Sequence, residues 1–190
     1  MTRRAIFLVT LAVGLVACRV SEPLPVLAQL PEFYLLERSG AAIDQAFLAG
    51  RPVVVDFVFT RCPASCPRLT ARMKELERRL PGSSTVRLLS ISVDPEYDRP
   101  EVLRRYAQGW GAGERWLFAT GERTAIWELI RRGFLLPVEA TPNDAGSPIL
   151  HSNRFALIDG EGRLRATYEA LEDGALERIL ADLKQIERGS

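Results

Sequence analysis

From residue 30 onward the chain alternates two kinds of hydrophobic pattern. Glu32-Phe33-Tyr34-Leu35-Leu36 reads as a short strand, and Pro52 to Phe59, dense in valine and phenylalanine, as a strand buried on both faces. Leu69, Met73, Leu76 and Leu80 then recur at helical spacing until Pro81-Gly82 stops the pattern. Val86 to Val93 is a second apolar strand, and Arg99 to Gly109 carries Val102, Leu103 and Tyr106 on one helical face. Arg115 to Ala119 reads as a strand, and Glu122 to Arg132 as a helix presenting Ile126, Leu129 and Ile130. A loop from Pro137 to Ser147 breaks the rhythm. Arg154 to Ile158 and Arg163 to Tyr168 flank Asp159-Gly160-Glu161-Gly162, a hairpin signal, and a last helix over Asp173 to Arg188 turns Leu176, Ile179, Leu180, Leu183 and Ile186 inward.

Strands alternating with helices imply parallel pairing with right-handed crossovers. The closing hairpin and terminal helix make the expected fold α/β, a thioredoxin-like three-layer sandwich. One domain accounts for residues 30–190, with no internal repeat.

Residues 1–17 have a different pattern. Arg3 and Arg4 precede an apolar stretch from Ala5 to Ala17, too short to span a bilayer comfortably and of the form expected of an export signal. It ends in Leu15-Val16-Ala17-Cys18, which resembles a bacterial lipobox. The expectation is a lipoprotein signal peptide over 1–17, a lipid on Cys18, and a tether over 18–29 containing Pro23 and Pro25. The domain would then sit in the bacterial cell envelope, anchored on the extracytoplasmic side, where disulfides are permitted.

Formal net charge is +1 and falls to −1 without Arg3 and Arg4, which gives no support for nucleic-acid binding. Basic residues, almost all arginine, alternate with glutamates along helices as in Lys74-Glu75-Leu76-Glu77-Arg78-Arg79, the signature of solvated faces, and no docking face stands out. Phosphate-binding glycine patterns are absent. One histidine and no serine in a strand-to-helix elbow leave a hydrolase triad without support.

The chemistry concentrates in Phe59-Thr60-Arg61-Cys62-Pro63-Ala64-Ser65-Cys66-Pro67, between the first buried strand and the helix after it. Apart from Cys18 these are the only cysteines, and His151 is the only histidine. Pro67 predicts a helix starting there, with Cys66 at its N-cap and its thiolate favoured by the helix dipole. Four residues span about 6 Å if helical, so both sulfurs can reach one ion or each other. His151 follows the long loop and can swing toward the cysteines. Two thiolates and an imidazole suit copper, Cu(I) above all, whereas structural zinc wants a fourth ligand. Asp94, at the C-terminal end of the second strand, is a candidate to orient the histidine or contact a partner. Met73 and the three tryptophans Trp110, Trp116 and Trp127 read as core or near-core.

Three motifs then carry a resemblance. Val54 to Pro67 with its Cys-Pro-x-x-Cys-Pro, Ser90-Ile91-Ser92-Val93-Asp94-Pro95-Glu96-Tyr97-Asp98-Arg99-Pro100, and His151-Ser152 before a strand ending Ile158-Asp159-Gly160 resemble the Sco/SenC family in order and spacing. The resemblance implies a membrane-tethered copper protein that loads the dinuclear copper centre of cytochrome c oxidase, as metallochaperone or as thiol reductant of its client. Its copper ligands match Cys62, Cys66 and His151, with Cu(I) the first cargo and Cu(II) the second. Its partners would be the copper-bearing oxidase subunit and other periplasmic copper chaperones. Family members commonly carry an acidic residue between the cysteines and an aspartate before the histidine; here Ala64, Ser65 and Leu150 stand there. With Arg61, they take negative charge away from the site. The rival reading is a thiol:disulfide oxidoreductase cycling Cys62 and Cys66, which has no need of His151. A peroxidase of the same fold would require a polar constellation around one cysteine that the sequence does not present.

Overall fold

The valine and phenylalanine run after Pro52 becomes a central strand because it is buried on both faces. The computed structural model describes residues 22–62, 65–141 and 149–189. In chain order the elements are β1 (Ala28–Gln29), β2 (Leu35–Glu37), β3 (Ala42–Ile43), α1 (Gln45–Leu48), β4 (Val53–Val58), α2 (Ser65–Arg79), β5 (Arg87–Ser92), α3 (Pro100–Gly109), β6 (Trp116–Thr120) and α4 (Arg123–Glu128). A π-helical turn, Leu129–Gly133, extends α4; then come β7 (Val138–Ala140), β8 (Ile149–His151), β9 (Arg154–Ile158), β10 (Arg163–Glu169) and α5 (Ala175–Gly189).

Eight strands form one sheet in the order β1-β10-β9-β4-β5-β6-β2-β3, with β7 and β8 paired separately. β4, β5 and β6 are parallel neighbours, so α2 and α3 cross the same face. There Leu69, Met73, Leu76, Leu103 and Ala107 bury against Val54, Leu88, Trp116 and Phe118, with Leu176, Ile179 and Leu183 of α5 completing the layer. The other face packs Val53, Val55, Phe57, Leu89 and Ile91 against Leu48 of α1 and Ile126, Leu129 and Ile130 of α4 and its extension. This is the thioredoxin-like three-layer α/β sandwich with a C-terminal hairpin and helix.

The β9–β10 hairpin turns where Asp159-Gly160-Glu161-Gly162 was expected to turn it. Asp159 accepts from the backbone N–H groups of Glu161 and Arg163 at 3.0 Å each, and from the side chains of Arg163 and Arg165 at 2.7 Å each. Residues 22–29, within the stretch read as a tether, lie along the domain: Ala28 and Gln29 pair with Leu164 and Arg163, and Arg165 donates to the carbonyls of Leu24 and Pro25. The strand expected at Glu32 to Leu36 falls later, at Leu35–Glu37, where it pairs with both β3 and β6. The long loop holds a strand of its own, β7. Residues 142–148, which take in the rest of the expected loop, and Cys18 with the leader lie outside the described residues.

Candidate functional site

The site lies past the C-terminal end of β4, where an open parallel sheet leaves a crevice. The helix starts two residues earlier than expected, at Ser65, which puts Cys66 within its first turn. Pro67 is tolerated there because the first four N–H groups of a helix have no intrahelical acceptor. Cys66 is fully buried and Cys62 nearly so, and both stand as thiols. Cys62 N–H donates to the Phe59 carbonyl at 3.2 Å, and its sulfur lies 4.0 Å from the Ser65 hydroxyl.

The imidazole needs no swing to arrive. His151 ends β8, held in register opposite Val138 of β7, and its Nε2 lies 3.5 Å from Cys66 Sγ. Its ring meets the Phe59 ring edge to face, centroids 5.6 Å apart. Nδ1 sits 3.1 Å from the Ser152 carbonyl, which can only accept, so Nδ1 carries the proton and the Nε2 lone pair faces the sulfur.

Charge at this pair contradicts the helix-dipole expectation. Burial pushes the Cys66 thiol well above its ordinary range, against the lowering effect of the Phe59 backbone, while Cys62 and buried Asp56 push it higher. Burial likewise lowers the His151 pKa, opposed by the Ser152 carbonyl. The resting pair is therefore a neutral thiol donating to a neutral imidazole. Desolvation beats the dipole because the sulfur faces inward, away from the solvated mouth of the helix.

The second motif turns out to clamp the first. Asp98, fully buried, accepts from Thr60 N–H at 3.0 Å, Thr60 Oγ1 at 2.5 Å and Ser92 Oγ at 2.7 Å. Asp94 accepts from Arg61 Nε at 2.8 Å rather than orienting the histidine. Two carboxylates at the end of β5 thus fix the two residues that precede Cys62. Asp98 had no role in the sequence reading, although two aspartates four apart at a strand's C-terminal end were a usable signal. The fold also gathers Arg61, Arg123 and Arg131 on one side of the site, although the arginines are evenly spread in sequence. Met73 and Trp116 are core, as expected.

Among the described residues no group of three or more His, Cys, Asp or Glu side chains stands positioned around a single metal point. Cys66 and His151 are together, and Cys62, on the loop before the helix, interacts with Cys66. No helix among the described residues is long and apolar enough to cross a membrane.

A thioredoxin-like sandwich with a buried pair of thiols beside one imidazole defines a class of redox and soft-metal proteins. Residues 25–187 match the SCO1/SenC family model, and the chain belongs to that family. It is 28% identical over 187 residues to the SCO1 protein homolog of Bacillus subtilis (strain 168), covering 97% of this chain and 94% of that one. The fold superposes with a TM-score of 0.77 on BsSco, a member of the Sco family of cytochrome c oxidase assembly proteins in which a disulfide switch is identified. That match has 27% identity over 87% of this chain and 98% of the other. ScoI of Bradyrhizobium japonicum with copper bound superposes with a TM-score of 0.71 at 25% identity, over 84% of this chain and 99% of that one.

Proposed function

We propose that this chain carries copper to the dinuclear copper centre of cytochrome c oxidase. Cys62 and Cys66 bind Cu(I) as thiolates and His151 completes the site. One observation carries the reading: a buried thiol and a half-buried imidazole, 85 residues apart in sequence, meet at 3.5 Å. With bonds of about 2.3 Å to sulfur and about 2.0 Å to nitrogen, as for zinc, a trigonal ion needs these atoms about 3.7 Å apart. The observed spacing is close to that, and the buried Cys62 side chain already interacts with Cys66. The copper-bound relative and the oxidase-assembly relative support the same assignment. The copper-bearing subunit of the oxidase is the client, and other periplasmic copper chaperones are exchange partners. The leader pattern supports a lipid on Cys18 that holds the domain on the extracytoplasmic side of the bacterial envelope. Release to the client proceeds by exchange with its thiolates, which a site with few ligands permits.

A second reading, a thiol:disulfide oxidoreductase that prepares the client's cysteines, is favoured by the one-turn spacing of Cys62 and Cys66 and by the disulfide switch of BsSco. The two readings part at His151. Anaerobic Cu(I) titration of the reduced protein against a competing chelator should show one tight site. That site should be lost in Cys62→Ser and Cys66→Ser. In His151→Ala it should weaken by at least the roughly 10–100-fold that losing an outer-shell partner costs. Unchanged binding in all three variants would falsify the carrier. Absence of binding in the wild type, with a readily cycled Cys62–Cys66 disulfide, would establish the reductase instead.

A further inference from the structure

Three arginines trace a path from one half of the site to the other. Arg61, next to Cys62, lies 4.7 Å over the Tyr97 ring while its Nε bonds Asp94. The same Asp94 carboxylate is 3.8 Å from Arg123, which pairs with Glu96 at 2.8 Å. Arg123 and Arg131 both lie over Trp127, at 5.5 and 5.4 Å, and the Trp127 indole donates to the Val93 carbonyl at 3.0 Å. Arg131 in turn donates to the carbonyl of Val138, the residue in register with His151.

Along this path three arginines meet two carboxylates, Asp94 and Glu96. Asp94 lies beneath the arginines with its side chain 2% exposed, while that of Arg61 is 51% exposed. Asp98 is buried and committed to Thr60 and Ser92, so of the three acidic groups in the motif only Glu96 reaches solvent freely. Arg123 Nε is buried and finds no acceptor among the described residues. Aromatic faces hold the guanidinium planes in place, which reduces the ordering that a bidentate carboxylate contact requires. The cysteine loop adds no carboxylate of its own, since Ala64 and Ser65 occupy its centre.

We infer that this arginine rim is a docking surface for an acidic partner, a protein whose exchanging thiols are flanked by aspartate or glutamate. The inference rests on the proposal that Cys62 and Cys66 face a thiol-bearing client. Positive charge beside the site steers such a client and fixes its approach.

The test uses no copper. Full-length protein in nonionic detergent, fully reduced, is oxidised by anionic glutathione disulfide or by cationic cystamine. In each case the Cys62–Cys66 sulfur–sulfur bond forms, the reagent's bond breaks, and two electrons and two protons pass from the dithiol to the two released small thiols. Rates are normalised to those of dithiothreitol with the same reagents, and the anionic-to-cationic ratio is taken so that changes in thiol acidity cancel. The rim predicts a ratio of about tenfold or more at low ionic strength. It should fall toward one in molar salt, where the screening length is about 3 Å. It should fall likewise in Arg61→Gln/Arg131→Gln and persist in Arg61→Lys/Arg131→Lys. A wild-type ratio near one overturns the inference, as does a preference indifferent to salt and substitution. Neither result touches the carrier reading, which stands or falls on the Cu(I) titration alone.

Discussion

Asp56 stands in the middle of a valine-rich central strand, fully buried, with neither carboxylate oxygen hydrogen-bonded among the described residues. Burial raises its pKa to about 7. The folded state therefore holds a proton that the unfolded chain, at about 3.9, gives up earlier. Stability from this group is fully present below about pH 4, declines as pH rises toward 7, and is gone above it. The range amounts to roughly 4 kcal/mol at most. Urea unfolding followed from pH 4 to 8 should show the wild type losing stability relative to Asp56→Asn, with the variant a few kcal/mol the more stable at pH 8; parallel curves would refute this. At this scale Cys62, Cys66 and His151 stood out in the sequence because they are chemically scarce, and the fold brings Cys66 and His151 to 3.5 Å. It misjudged their protonation. Spacing reports where a thiol sits along a helix but not whether its sulfur faces solvent, and for Cys66 that orientation decides the sign of the shift. Asp56 and Asp98 escaped for the same reason: their burial is a product of the whole sheet.

Regular elements with long apolar repeats were the legible ones. β4, α2, β5, α3 and the β9–β10 hairpin fall within a few residues of their predicted bounds, since burial of one continuous face dictates each. The short strands β1, β3 and β7 carry too few residues for a period to show, and they exist because a neighbouring edge offers hydrogen bonds. The π-helical turn after α4 was hidden because Ile126, Leu129 and Ile130 fit an ordinary helix; only the Phe134 N–H bond to the Leu129 carbonyl, at 3.2 Å, reveals the extra residue. That turn unloads its geometry onto Leu135, which is exposed with φ of 57°. A side chain in this left-handed region costs about 1–2 kcal/mol, which glycine avoids while losing about 0.5–1 kcal/mol to its freer unfolded chain. Leu135→Gly should thus be neutral or stabilising by up to about 1 kcal/mol. A thermal melt showing clear destabilisation would mean the exposed leucine supports the turn by contact.

Over the whole molecule, the alternation of strand and helix was enough to place parallel strands at the centre and the cysteines at their C-terminal end. The sheet's edges were not readable, because β1 and β2 join it through partners far along the chain, β10 and β6, and β3 is held only by β2. The N-terminal strap closes one edge through β1 and buries Leu30 in the core. Removing residues 1–29 should cost about 1–3 kcal/mol of unfolding free energy, within the usual range for losing edge contacts, and leave Cu(I) affinity within about twofold. A large loss of affinity would show that the strap reaches the site.

The strap meets the molecule beside Gly50, Pro52 and the Asp159-Gly160 turn, at the start of β4, while Cys62 and Cys66 follow its end. The protein therefore has a handle and a working tip at opposite poles. Attachment to a bead, an electrode or a fusion partner through the strap would hold the domain at the end of β4 opposite the cysteines.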